Sequence, residues 1–283
     1  MTPSAKRDAA AFLVAEHGLS KKKACAAVGL SRAAFYRPAS DSTRDDAVVA
    51  ALNKQVGLHP RWGFWKLFNR MQTLGYPWNH KRVWRVYKAM KLNLPRRTKK
   101  RLPVRERQPL NAPAAVNAVW SMDFMSDVLY NGRRFRTFNV IDDGVREALD
   151  IVIDTSIPSG RVVRTLEQIK AWRGLPKAIR VDNGPEFLSQ LFVDWCEENQ
   201  VEIRYIQPGK PNQNAYVERF NRTYRSEVLD AYLFDNLDQV RQMTAEWLRT
   251  YNEERPHDAL GNKTPAAYRE AIEARVSTFE VST

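Results

Sequence analysis

Cysteine is almost missing from this chain. Two occur in 283 residues, Cys25 and Cys196, and neither has a partner at CxxC spacing. That argues against a disulfide framework and a structural zinc, and it fits a reducing cytosol. Long apolar runs are missing too. No stretch nears the roughly 18 residues of a membrane span, so none is expected. The opening MTPSAKRDAAAFLVAEHG has a short apolar patch but no cleavage-like site, and charge returns at Glu16, so it is not expected to act as a signal peptide. Low-complexity tracts are absent, and the apolar content of 43% is enough for real cores. The length fits two or three domains.

Acidic residues are short in only one part of the chain. Residues 1–115 hold 24 Lys/Arg against 6 Asp/Glu, a net of +18, and residues 116–283 hold 21 against 26, a net of −5, for a total of +13. A basic front half joined to a slightly acidic back half points to modules that contact DNA or RNA, attached to a separate globular domain.

The front half reads as helices. Lys6–Glu16 is one. In LSKKKACAAVGLSRAAFYR, Ser20 can N-cap a helix through Val28, Gly29 supplies a turn, and Ser31 caps a second helix through Arg37. This is a helix-turn-helix pattern with Arg32 and Arg37 on its second helix, suited to a DNA groove, although a plain helical hairpin has the same signature. The pattern recurs. After His59-Pro60, Phe64, Leu67, Phe68, Met71 and Leu74 fall at helical spacing. Asn79 can then cap HKRVWRVYKAM, with Val83, Val86 and Met90 inward and Lys81, Arg82, Arg85 and Lys88 outward. Trp62, Trp65, Trp78 and Trp84 read mostly as the core of this small helical domain. The expected domains are therefore 1–40 and 41–94. A Pro-rich basic linker, 95–118, follows, and its Arg96, Arg97, Lys99, Lys100 and Arg101 can track phosphates.

From Val119 the pattern changes. Strands are expected at Val119–Leu129, Arg134–Ile141, Glu147–Asp154, Ala178–Asp182 and Glu202–Gln207, and helices at Gly160–Trp172 and from Pro185 to Asn199. A meander followed by βαβ crossovers gives a mixed five-stranded sheet flanked by helices, an α/β core over 119–230 with a helical extension over 231–283.

Three acids in this core are candidates for chemistry. Asp123 lies in the first strand, on the face opposite Trp120, Met122 and Phe124. Asp182 ends a short apolar strand before an Asn183-Gly184 turn, where catalytic groups often sit. Glu218 follows Asn214, read as a helix cap, and lies beside a buried stripe of Val217, Phe220, Tyr224 and Val228. Arg222 and Arg225, four and seven residues on, share its face, an arrangement suited to metal and DNA phosphates. Each acid also has a plainer reading: a strand-end polar group, a turn former, a partner in surface ion pairs. Asp142 and Asp143 fit a hairpin turn, and Glu186 fits the first turn of its helix.

Together these stretches resemble a known family. WSMDF around Asp123, RVDNGPEF around Asp182 and QPGKPNQNAYVERFNR around Glu218 resemble the three signatures of the DDE transposase and retroviral-integrase superfamily. The nearest resemblance is to bacterial insertion-sequence transposases whose second reading frame (OrfB) encodes the catalytic domain. The 35 residues between Asp182 and Glu218 agree with that pattern. YNEERPHDALGNKTPAAY, with Tyr251, Asn252, Arg255, Pro256 and His257, resembles the family's tail motif; a helix end packed near the site is its expected role, with DNA contact by His257 the alternative. ACAAVGLSRAAFYR and the segment around Lys66–Leu94 resemble the helix-turn-helix segments that precede the core. Met125 stands where many relatives have Thr, and no leucine-heptad zipper is found.

The resemblance implies an RNase H-like core in which Asp123, Asp182 and Glu218 hold two Mg²⁺ ions, with Mn²⁺ able to substitute. It implies that water cuts a phosphodiester at the element end and that the freed 3′-OH attacks a second one. It implies that the loop Gln207–Asn214, with Lys210, closes over DNA. The implied partners are double-stranded DNA (element ends and target), further copies of the chain on DNA, and a first-frame (OrfA) helix-turn-helix protein; the implied place is the bacterial cytoplasm, on the nucleoid. Two other readings stay open: a catalytically silent DNA-binding regulator with a relic core, and a nuclease acting on RNA–DNA hybrids.

Overall fold

The computed structural model describes residues 3–36, 45–95, 115–207 and 214–280, with side chains to residue 275. Packing divides the chain into two compact units, Met1–Lys54 and Gln55–Thr283. This boundary differs from the ones expected at 40 and 94, because the second helical pair packs into the same unit as the sheet.

In the smaller unit, α1 (Pro3–His17), α2 (Lys21–Ala27) and α3 (Arg32–Tyr36) pack on one another around Ala10, Ala24 and Cys25. The expected helix-turn-helix forms at α2–α3. Ser20 accepts from Lys23 N at 3.4 Å and Ser31 from Ala34 N at 3.2 Å, so both helices start on hydroxyl caps. Gly29 turns between them at φ +63°, a left-handed conformation that glycine adopts at little cost. Lys6 of α1 donates to the Gly29 carbonyl and Arg7 to that of Ala34, which ties α1 to the pair. The unit ends in the first turns of α4 (Asp46–Leu58).

In the larger unit, α5 (Phe64–Thr73) and α6 (His80–Ala89) form an aromatic hairpin. Phe64 meets Phe68, Trp84 and Tyr87, and Asn79 caps α6 through Lys81 N at 2.9 Å. Of the four tryptophans read mostly as core, only Trp62 is buried, stacked on His59 at 3.8 Å; Trp78 is half-buried, and Trp65 and Trp84 are exposed. The hairpin is fastened to the rest of the unit by Arg70 to Glu254 and Asn69 to Asn262, both at 2.8 Å.

The sheet is β1 (Val119–Val128), β2 (Arg134–Asp142), β3 (Ala148–Asp154), β4 (Ala178–Val181) and β5 (Glu202–Tyr205), ordered β3-β2-β1-β4-β5. β1, β2 and β3 pair antiparallel, whereas β4 joins β1, and β5 joins β4, in parallel. This is the RNase H-like mixed sheet expected. Alternation along the strands builds two cores. Trp120, Met122, Phe138 and Val181 meet α7 (Ser159–Arg173) and α8 (Gln190–Glu198) on one face. Met125, Phe135, Ile141 and Ile153 meet α9 (Ala215–Tyr224) and α10 (Leu237–Glu253) on the other. α11 (Pro265–Glu280) follows, and no helix among the described residues is long and apolar enough to cross a membrane.

α8 begins later than the sequence suggests. Pro185 does not open it; residues 185–188 form a turn that drops Phe187 into the core, and Ser189 caps the helix through Phe192 N. A hydroxyl that satisfies an orphan helix donor outweighs proline's preference for the first turn.

Candidate active site

β1 is the central strand, and it carries Asp123. The parallel register sets Ser121 beside Arg180. Two residues further along both strands, Asp123 and Asp182 therefore come level and face the same way. That face is the one α9 covers. Asn221 of α9 donates to Asp123 Oδ2 at 2.7 Å, and Glu218, three residues earlier on the same helix face, is brought toward the same point. All three acids are half-buried. The structure thus gathers the three predicted carboxylates onto one face, although among the described residues no three acid, His or Cys side chains close into a cluster tight enough to grip a cation. Like charges repel until a cation joins them.

Each carboxylate is held differently. Asp123 Oδ1 accepts from Phe124 N at 2.9 Å, and behind Asn221 stands Asn139, which donates to Asn221 Oδ1 at 2.7 Å and faces Asp123 across the β1–β2 ladder. Burial raises the Asp123 carboxyl to about 6; the Phe124 and Asn221 donors pull it down, and the charges of Asp182 and Glu218 push it up. Asp182 Oδ1 accepts from Gly184 N at 3.0 Å. A Cβ on Gly184 would stand 3.0 Å from that oxygen and 3.5 Å from Glu186 Oε2, so a side chain here would press the Asp182 carboxylate by a few tenths of an ångström. Glu218 makes no hydrogen bond or ion pair among the described residues.

The Asn139–Asn221–Asp123 chain of hydrogen bonds is one the sequence does not reveal: one amide on a helix and one on a strand meet only once the register is known. Removing the donor with Asn221→Leu is expected to move the Asp123 pKa further up, since a hydrogen bond to the charged form favours it. A carboxyl-carbon NMR titration would show this, and an unchanged midpoint would refute the role.

The rival acids have other work. Asp142 and Asp143 are fully buried and more than a hairpin turn. Asp142 takes Asn117 N, Gly144 N and Arg173, and Asp143 takes Ser121 Oγ and Arg180. Glu186 does not open a helix; it pairs with Arg136 across the sheet, because the chain turns there. Asn214 stands at the start of α9 but does not cap it; its side-chain amide reaches back to Met122 O at 3.4 Å.

The expected cations are scattered. Arg222 is exposed on α9, as foreseen. Arg225 leaves the Glu218 face: the helix opens into a π-turn at Arg225–Leu229, and the guanidinium pairs with Asp127 at 2.9 Å and the Ser126 carbonyl. Arg32 is exposed at the start of α3; Lys81 and Arg85 are exposed on α6, and Arg82 is half-buried. Arg37, Arg96, Arg97, Lys99, Lys100, Arg101 and Lys210 lie outside the described residues.

Comparison with known proteins identifies the family of the chain. Two family models described as "Integrase core domain" match residues 113–211 and 199–265. The chain is 39% identical to the 39.2 kDa protein of insertion element IS476 from Xanthomonas euvesicatoria, over 95% of this chain and 78% of that one. It is 40% identical to the 31.7 kDa protein of insertion element IS407 from Burkholderia multivorans, over 88% and 90%. It is 26% identical to the transposase InsD of insertion element IS2 from Escherichia coli, over 81% and 80%.

Proposed function

The chain belongs to the insertion-element transposases with an integrase core, the DDE superfamily, and on that premise we propose that Asp123, Asp182 and Glu218 are the catalytic carboxylates of a metal-dependent polynucleotidyl transferase. The observation that carries this is the register: continued past Ser121 and Arg180, it brings Asp123 of β1 level with Asp182, one residue beyond the end of parallel β4, with α9 pinned over them by the Asn221–Asp123 hydrogen bond.

The donor set fits a hard divalent cation. Three acceptor-only carboxylates, with Gly184 keeping space beside Asp182, suit Mg²⁺, which takes a few carboxylates and completes its shell with water and phosphate oxygens. When bound, such an ion polarises the phosphodiester and acidifies the attacking water or hydroxyl. The chain's own part is to aim its oxygens. Phe124 N and Asn221 fix Asp123, Gly184 N fixes Asp182, and α9 offers Glu218 from the third side. Arg222, one turn beyond Glu218 and exposed, is placed to meet a DNA phosphate. Water first displaces the 3′ oxygen at the element end; the freed 3′-OH then forms a new P–O bond to the target as another P–O bond breaks. The proposed substrate is double-stranded DNA, gripped by several copies of the chain, with the first-frame protein as an assembly partner.

Joining of a 3′-OH element end to a target duplex by the purified chain, in Mg²⁺ or Mn²⁺, is the test. EDTA is expected to stop it and added Mg²⁺ to restore it. End joining that persists in EDTA would overturn the assignment.

A further inference from the structure

A second polar site lies on the other flank of α9. Glu218 and Asn221 turn toward β1, whereas Tyr216 and Arg219 line a cavity of about 100 Å³. Lys66 of α5, Arg146 of the β2–β3 turn, and Arg255 and His257 after α10 complete its wall.

Charge in this cavity is out of balance. Arg255 is matched, since Glu227 takes its guanidinium at 2.5 and 2.7 Å. Arg146 donates to the Asp143 carbonyl, lies within the field of the Asp143 carboxylate, and lays its guanidinium 3.4 Å from the Tyr216 ring, but makes no ion pair among the described residues. Lys66 and Arg219 make no ion pair among the described residues either. The acid on the wall, Asp258, is exposed to solvent. Positive potential marks the neighbours: burial, then Arg255, brings Lys66 down to about 8, and burial with Arg255, Lys66, Arg219 and Arg146 brings His257 down to about 3. The neutral His257 ring also has its Nε2 sealed from solvent with no hydrogen-bond partner among the described residues. An unmatched buried nitrogen beside unpaired cations is costly unless a ligand satisfies both.

We propose that this cavity is a phosphate-binding pocket and that one backbone phosphate of DNA occupies it. Lys66, Arg146 and Arg219 supply the charge and His257 Nε2 a hydrogen bond. The source of the phosphate rests on the transposase reading; the pocket itself does not.

The experiment compares the full chain with a Lys66→Gln/Arg219→Gln variant, in EDTA so that the carboxylate site plays no part. Arg204→Gln, removing one exposed cation on β5 outside the cavity, controls for the loss of a positive charge elsewhere on the chain. In one arm, inorganic phosphate is added against chloride of equal ionic strength and melting is followed. The wild type is expected to gain on the order of 2 °C, and the double variant little. In the other arm, binding of a labelled duplex is measured across salt. The double variant is expected to bind roughly 5- to 10-fold more weakly, with a log K against log salt slope shallower by about 1 for the one lost phosphate contact. Loss in both arms, with Arg204→Gln unaffected, supports the proposal. A lost phosphate effect with an unchanged salt slope overturns DNA as the source and leaves a free anion as the ligand. A wild type that gains nothing from phosphate overturns the pocket. A wild type that binds phosphate but no DNA overturns the DNA source together with the transposase reading, and leaves the pocket standing.

Discussion

Asp182→Asn and Glu218→Gln are each expected to cut strand transfer by on the order of 10³ or more while leaving DNA binding largely intact. A charge-stabilising group lost from a site costs that much, and a neutral amide is a poor ligand for a hard cation. Neither acid holds the fold: Asp182 accepts one backbone hydrogen bond, and Glu218 makes none among the described residues. Full strand transfer by either variant would sink the assignment. Asp123→Asn should be equally inactive but carries a second signature. Its carboxyl stands at about 6 in the native chain, raised chiefly by burial from an ordinary 3.8. Between those values the native state binds more protons than the unfolded state, so stability falls as pH rises through the window and stays lower above it. Removing the charge is therefore expected to raise the melting temperature in EDTA by a few degrees at about pH 8, and not at about pH 4. The amides can adapt. Asn139 Oδ1 is buried without a partner, so turning both amides lets Asn221 donate to Asn139 and accept from the new amide at 123. An inactive variant that melts no higher than the wild type near pH 8 would refute the buried-charge account. Activity and stability oppose each other at this residue, as is common where a site is built for a ligand.

Much of this was legible because it is local. Alternation in VWSMDFM sends Trp120 and Met122 to one core and turns Asp123 the other way, which the two sheet faces bear out. Hydroxyl and amide caps at Ser20, Ser31 and Asn79 act within three residues and form as read. What escaped depends on distant parts of the chain. A continuous helix would place Arg225 beside Glu218; a π-turn breaks the period and Asp127, 98 residues earlier, captures the guanidinium. Asp142 and Asp143 look like turn formers because their partners, Arg173 and Arg180, lie 31 and 37 residues away. Glu186 looks like a helix-start acid until Arg136 reaches it across the sheet. In each case a polar residue with a good local explanation is claimed by an opposite charge from another element, and period and propensity carry no trace of that.

Arg173→Leu is expected to be among the most costly single changes to the fold, by about 3–5 kcal/mol, or roughly 10 °C in melting temperature. Arg173 is nearly buried at the end of α7, and its guanidinium lies 3.2 Å from Asp142 and 2.9 Å from Glu147. It also donates to Asn117 Oδ1, whose own backbone N–H binds Asp142 and whose residue leads into β1. The leucine would fill part of the space but leave Asp142, fully buried, with hydrogen bonds and no opposite charge. Glu147 suffers less, because Arg269 still reaches it at 3.1 Å. The loss should therefore belong to Asp142. Adding Asp142→Asn to the variant is expected to return a large part of the lost stability, whereas adding Glu147→Gln returns little. Additive losses in Arg173→Leu/Asp142→Asn would refute the charge account and point to packing instead. The site should register the same change. Asp142 pairs with Trp120 across the ladder, three residues before Asp123, and this ion cluster anchors the end of the strand on which Asp123 and the register to Asp182 depend.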